Sequence, residues 1–264
     1  MEDMESNPFI VADAPASDRA AFFRRTYGLV AIGFAAFAVL LYVFFQGFEY
    51  QQAIRGVSGA NFGTGIAAMV FGGLQSMMQS MGAWSMLLVM LAFWGATTVA
   101  QSLAFNRSSR GTQYAGLGLY VVLEALIFIP LIGYVIISSV DKNGVSHAMD
   151  VLRPAGIVTF GMIAGLTAVV FMTNLDFSFL KVAIVLGGFA ALAIVVVAAI
   201  AGFTLGAWFS IAMIVLMATV ILYQTNEIKN TMETDQHVAA AFVLFSSFVT
   251  LLFYVIRLFA GRRE

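Results

Sequence analysis

Glu124 is the residue whose surroundings demand a reason: it stands in the run Val121-Val122-Leu123-Glu124-Ala125-Leu126-Ile127 with no neighbouring opposite charge. If that run crosses a bilayer, a charge at its centre costs about 2.5–3.5 kcal/mol on insertion scales. The side chain must then face the inside of a helix bundle, find a partner or keep its proton. Glu124 is therefore a candidate proton or cation site, and the plainer reading is a hydrogen-bonded Glu that ties two helices together. Pro130, further along the same run, frees a carbonyl one turn back and predicts a kink. Ser246, Ser247 and Thr250 interrupt the last apolar block, and Gln224, Asn226 and Glu227 close the one before it. Such hydroxyls and amides would line a wet pathway, although Ser and Thr also satisfy themselves on the carbonyl one turn back.

Catalytic chemistry has little to stand on. Gly56-Val57-Ser58-Gly59 spells the G-x-S-G string of an intramembrane serine protease, but it lies in a polar stretch and not at the head of an apolar block. The nearest candidate base, His237, sits at a block's edge. His237 and His147 both lie outside the apolar centres, where a lone His is expected to be a solvated side chain and not a ligand. Cysteine is absent, which removes disulfides, thiolate chemistry and sulfur-ligated metals. No catalytic residue, metal site or cofactor is expected, and the chain is not expected to be an enzyme.

The elements that would position these residues follow from composition. Of 264 residues, 61% are hydrophobic and 10% charged, against roughly 45–50% and about 25% in soluble domains. The apolar residues fall in long blocks and not in the alternating runs of a barrel strand, so the chain reads as an all-α membrane protein with about seven spanning helices. The blocks are residues 27–45, 83–103, 114–138, 155–173, 180–200, 207–223 and 238–259. At 1.5 Å per residue each covers roughly the 30 Å hydrocarbon core, the fourth and sixth only just. Ile66–Met81 is shorter and is interrupted by Gln75, Ser76, Gln79 and Ser80, the pattern of an interfacial or re-entrant helix. Gly161 and Gly165 form a small-xxx-small pair, and Gly187 and Gly188 are adjacent; both are expected to make helix contacts within one bundle. A net charge of −1 and a pI near 6.1 leave no basic stripe, so nucleic acid is excluded as a partner.

Residues 1–20 are polar, lack the basic region and cleavage site of a signal peptide, and read as a flexible cytoplasmic tail ahead of a single domain over residues 21–264. Arg24 and Arg25 precede the first block directly, as in an uncleaved anchor with its positive flank in the cytoplasm. Arg19, Arg24, Arg25, Arg107, Arg110, Lys181 and Lys229 fall on the N-terminal side, against Arg55, Lys142 and Arg153 on the other, which favours a cytoplasmic N-terminus. The cluster Arg257, Arg262 and Arg263 opposes that parity. Seven crossings would leave it outside, and seven crossings are nonetheless expected.

Several segments, in order, resemble the transmembrane Bax-inhibitor-motif family in its bacterial inner-membrane branch. Phe23-Arg24-Arg25-Thr26-Tyr27-Gly28 is similar to that family's aromatic, basic, basic, Thr/Val, Tyr entry. Glu124 followed by Pro130-Leu131 resembles its third-helix pattern, with Ala125 and Ile129 in place of two glycines. Thr159-Phe160, the run Asp176-Phe177-Ser178-Phe179-Leu180, the helix end Ile221-Leu222-Tyr223-Gln224-Thr225, and residues 251–258 with Tyr254 and Arg257 continue the likeness. The resemblance implies a bundle wrapped around a central C-terminal helix. It also implies either a pH-influenced leak of calcium or protons, or a part in membrane protein quality control or stress as a substrate or modulator of a membrane-bound ATP-dependent protease complex. In leak-forming members two aspartates face each other in the last two helices, and those positions correspond here to Gln224 and Ser247. Two adjacent carboxylates repel, hold a shared proton towards neutral pH and attract a cation once it leaves. Gln and Ser offer only neutral hydrogen bonds, and no Arg lies in residues 83–103 to serve as a basic partner. Glu124, Gln224 and Ser247 are thus the ion-pathway candidates, with the titrating pair missing.

Overall fold

In lipid every backbone N–H and C=O of a spanning segment must be paired within it, so blocks of this length are driven to be helices. The computed structural model of the chain describes residues 9–49, 62–82, 84–173 and 175–261. These hold α1 (Ala16–Phe44), α2 (Ile66–Met81), α3 (Trp84–Ala104), α4 (Arg110–Ser138), α5 (Met149–Met172), α6 (Leu180–Ala201), α7 (Ala207–Asn230) and α8 (His237–Ala260). Among the described residues there is no strand, only isolated bridges. All but α2 are long and apolar enough to cross a membrane, which gives the seven spans. The helices outrun their apolar blocks by polar turns: α7 continues to Asn230, and α4 begins at an N-cap where Ser109 accepts from the Thr112 N–H at 3.4 Å.

The spans alternate in direction, so the starts of α1, α4, α6 and α8 share one end of the bundle. Arg107 pairs with Glu233 across that end, whereas Arg257 in the last turn of α8 donates to the Leu205 carbonyl at 2.6 Å at the other end. Helix α8 therefore runs the full depth of the bundle. The Arg257 guanidinium also lies over the Phe209 ring at 5.8 Å.

Helix α8 is the core. In its most apolar stretch 67% of residues are buried, against 6% in α6, and α8 touches α1, α3, α4, α5 and α7. Without a hydrophobic drive between helices in lipid, close packing must hold them. Phe37 meets Phe128 edge-on at 4.8 Å, and Phe245 of α8 meets Phe34 at 5.1 Å. Gly116 lets α4 approach α3 so closely that a Cβ there would lie 2.4 Å from the Ala104 nitrogen. Outward, Val182, Leu186 and Phe189 of α6 are exposed and meet lipid tails. Helix α2 packs Phe71 against Gly133 of α4 and leaves Met69 and Met78 exposed.

Two expectations are corrected here. Residues 9–20 are not a flexible tail: Val11 is fully buried and its N–H bonds the Met232 carbonyl at 2.9 Å, Ile10 bridges Glu233, and α1 has begun by Ala16. Burial of Val11 and backbone pairing with the α7–α8 loop hold this segment; residues 1–8 lie outside the described residues. Gly161 and Gly165 do not pack inside the bundle, since a Cβ at either meets nothing within 4 Å. Gly187 does make a contact, against Leu216 of α7, whereas Gly188 faces open space. The string Gly56 to Gly59, Arg55, Arg262 and Arg263 fall outside the described residues.

Candidate functional site

Glu124 lies on the face of α4 that meets α8, one turn after Tyr120 and one turn before Phe128, and is 5% exposed. The Tyr120 side chain stands beside its carboxyl, and the Tyr120 hydroxyl lies 2.7 Å from Ser246 Oγ on α8. A buried carboxyl thus reaches the central helix through one tyrosine. No ion pair to Glu124 occurs among the described residues, so the polar atoms of the site compensate it and no counter-charge does.

Gln224 and Ser247 meet directly: the Ser247 hydroxyl donates to Gln224 Oε1 at 2.5 Å and approaches the Val243 carbonyl at 3.3 Å. The positions that the family resemblance aligned are neighbours in space. Ser246 and Ser247 are consecutive, so they point about 100° apart around α8. One serves α4 and the other α7. Glu124 and the Gln224–Ser247 pair are therefore brought to two sides of the same helix, and no hydrogen bond joins them.

Other polar residues work outside this centre, at the end of the bundle where α1 begins. Asp176, in the loop before α6, accepts from the Ser178 hydroxyl at 2.6 Å, the Ser178 N–H at 2.9 Å and the Asn226 amide at 3.1 Å. These donors hold its carboxyl below the usual carboxylate range, the Ser178 hydroxyl most of all. Lys229 donates to the Val170 carbonyl at 3.0 Å and lies over the Phe171 ring. At the opposite end Asp141 is likewise held low, chiefly by the Val145 N–H, and His147 stands half-exposed between Asp141 and Asp150.

His237 is not the solvated side chain expected. It opens α8, is 6% exposed, and sets Nε2 3.4 Å from the Tyr114 hydroxyl of α4. Beside it Thr26 of α1 donates to the His237 carbonyl at 3.5 Å. Its environment is made by residues more than a hundred positions away, which a local reading of the sequence cannot supply. Among the described residues no group of His, Asp and Glu could hold a metal ion.

Seven apolar spans, six of them around the buried seventh and with their outer faces in lipid, define a polytopic integral membrane protein. The chain belongs to the Bax inhibitor family, because the model of the family described as Inhibitor of apoptosis-promoting Bax1 matches residues 19–264. No curated protein matches it significantly.

Proposed function

We propose that this protein is a non-enzymatic member of the family that acts on other membrane proteins by contact, in membrane protein quality control or a stress response. Its partner would be a membrane-bound ATP-dependent protease, and its setting a bacterial inner membrane with the N-terminus cytoplasmic. The observation that carries this reading is the neutral Gln224–Ser247 bond. Where leak-forming relatives would place two titrating carboxylates, this chain has a closed hydrogen bond that no physiological pH change can charge. The glycine face of α5, open to lipid at Gly161 and Gly165, supports contact with another helix.

The test is the lifetime of the protein in cells with and without the membrane protease, for the full chain and for a chain lacking residues 1–8, a deletion that leaves the docked Ile10 and Val11 in place. Loss of the protease should lengthen the life of the full chain, and the deletion should abolish that difference. Equal lifetimes in all four combinations would remove this reading.

A second reading, a pH-influenced leak of calcium or protons, is favoured by the polar series from buried Glu124 past Tyr120 to half-buried Ser246. It requires flux into liposomes carrying the purified protein that Glu124→Gln suppresses. If neither protein exceeds empty liposomes, the leak reading fails.

A further inference from the structure

At the end of the bundle where α1 begins, a cavity of about 480 Å³ opens between α1 and α4 with the start of α8 at its floor. Its size is within the roughly 300–1,000 Å³ typical of small-ligand pockets. Arg24 and Arg25 enter it from α1, Arg110 and Tyr114 from α4, and His237 from α8. Arg110 is engaged, to the Asp235 carbonyl and, at 3.9 Å, to its carboxylate. Arg24 and Arg25 have no hydrogen bond or ion pair among the described residues, although both lie against the protein. The cavity lining thus holds three guanidiniums, of which Arg110 alone pairs with a carboxylate among the described residues.

The remaining wall is apolar and graded. Arg25, Gly28, Leu29 and Ile32 follow the i, i+3, i+4, i+7 rule and share one face of α1, so the lining passes from charge to hydrocarbon over about 10 Å of helix. Ile32 is 65% exposed, on a surface that can only face lipid tails. At Gly28 a Cβ would meet nothing within 4 Å, so the missing side chain is what leaves the middle of the groove open. Exposed Tyr114 stands at the level where aromatic rings border the headgroups.

We propose that this groove is a binding site for a phosphate-bearing anionic group, and that its occupant is the headgroup of an anionic phospholipid. The phosphate would be held by Arg24 and Arg25 with Tyr114 as a hydroxyl donor, and the glycerol and first acyl carbons would lie along Gly28, Leu29 and Ile32. A soluble phosphate would use the arginines but gain nothing from the apolar wall. A lipid uses both, and basic pockets between spanning helices suit anionic headgroups.

The test uses the full chain purified in a neutral maltoside detergent, titrated separately with phosphatidylglycerol, with phosphatidylcholine of the same acyl chains and with inorganic phosphate, and read by native mass spectrometry. Phosphatidylglycerol should bind well above phosphatidylcholine. Arg24→Gln with Arg25→Gln should weaken phosphatidylglycerol by about 30-fold, from about 1 kcal/mol for each arginine near an anionic surface. These arginines hold no other part of the fold, so helical content and unfolding midpoint should be unchanged. Gly28→Leu fills the groove without touching a charge and should also weaken phosphatidylglycerol several-fold. Inorganic phosphate binding as tightly as the lipid, with no loss in Gly28→Leu, would assign the arginines to a soluble anion and overturn the lipid occupant. Equal binding of the two lipids, or wild-type affinity in the double variant, would overturn the site.

Discussion

Replacing Gly116 and Gly161 by alanine, one at a time, separates the inside of this bundle from its outside. At Gly116 the new Cβ would lie 2.4 Å from the Ala104 nitrogen and 2.7 Å from the Ala100 oxygen, where an ordinary contact is 3.4–4 Å. Both neighbours are backbone, so α3 as a whole must retreat by about 1 Å, and α3 also carries the chain into α4. Overpacking of this kind costs about 1–3 kcal/mol. Removing a helical glycine returns up to about 1 kcal/mol. With that return in full, Gly116→Ala should therefore lose up to about 2 kcal/mol. Gly161→Ala gains the same propensity term and meets nothing within 4 Å, so it should be neutral or slightly stabilising. The assay is reversible unfolding in mixed micelles of rising dodecyl sulfate fraction, followed by helical circular dichroism. A Gly116→Ala midpoint equal to or above that of Gly161→Ala would refute the packing described for α3, α4 and α5.

Glu124→Leu removes the carboxyl that stands beside Tyr120 on the same helix and should destabilise by about 0.5–1.5 kcal/mol, the net worth of a typical intramolecular hydrogen bond. Glu124→Gln keeps an acceptor and should stay near wild type in the same unfolding assay; an equal loss in both would show that the bond carries no stability. Asp176 is held low by its donors, so the stability it contributes is present above the ordinary carboxylate pKa and is lost as pH falls through its folded value. Unfolding midpoints of wild type should thus decline below about pH 4, and those of Asp176→Asn should decline less. Parallel curves for the two proteins would show that the Asp176 contacts are not linked to folding.

Much of this architecture could be read directly from the chain. Seven runs of spanning length became seven helices, because in lipid a long apolar block has no other way to satisfy its backbone. The bounds of α2 were visible too, since Gln75, Ser76, Gln79 and Ser80 lie in a stretch too short to cross. Glu124 was bound to face inward by the cost of exposing it to hydrocarbon. The meeting of Gln224 and Ser247 was indicated by the family pattern and not by spacing. What stayed hidden has a common cause. Lipid-facing and bundle-facing sides of these helices are equally apolar, so a pair such as Gly161 and Gly165 carries no mark of which way it points. The burial of His237 and the docking of Val11 depend on partners far along the chain, Tyr114 for one and Met232 for the other.

The neutral Gln224–Ser247 bond is the feature on which the proposed function depends. Purified wild type and the Gln224→Asp, Ser247→Asp double variant should be reconstituted into liposomes, and calcium flux followed across external pH. Wild type should show no flux that changes with pH, and the double variant should gain one, since two carboxylates would then face each other where a hydroxyl now meets an amide. A pH-dependent flux through wild type, or a double variant no different from it, would contradict the placement of the site and the function inferred from it.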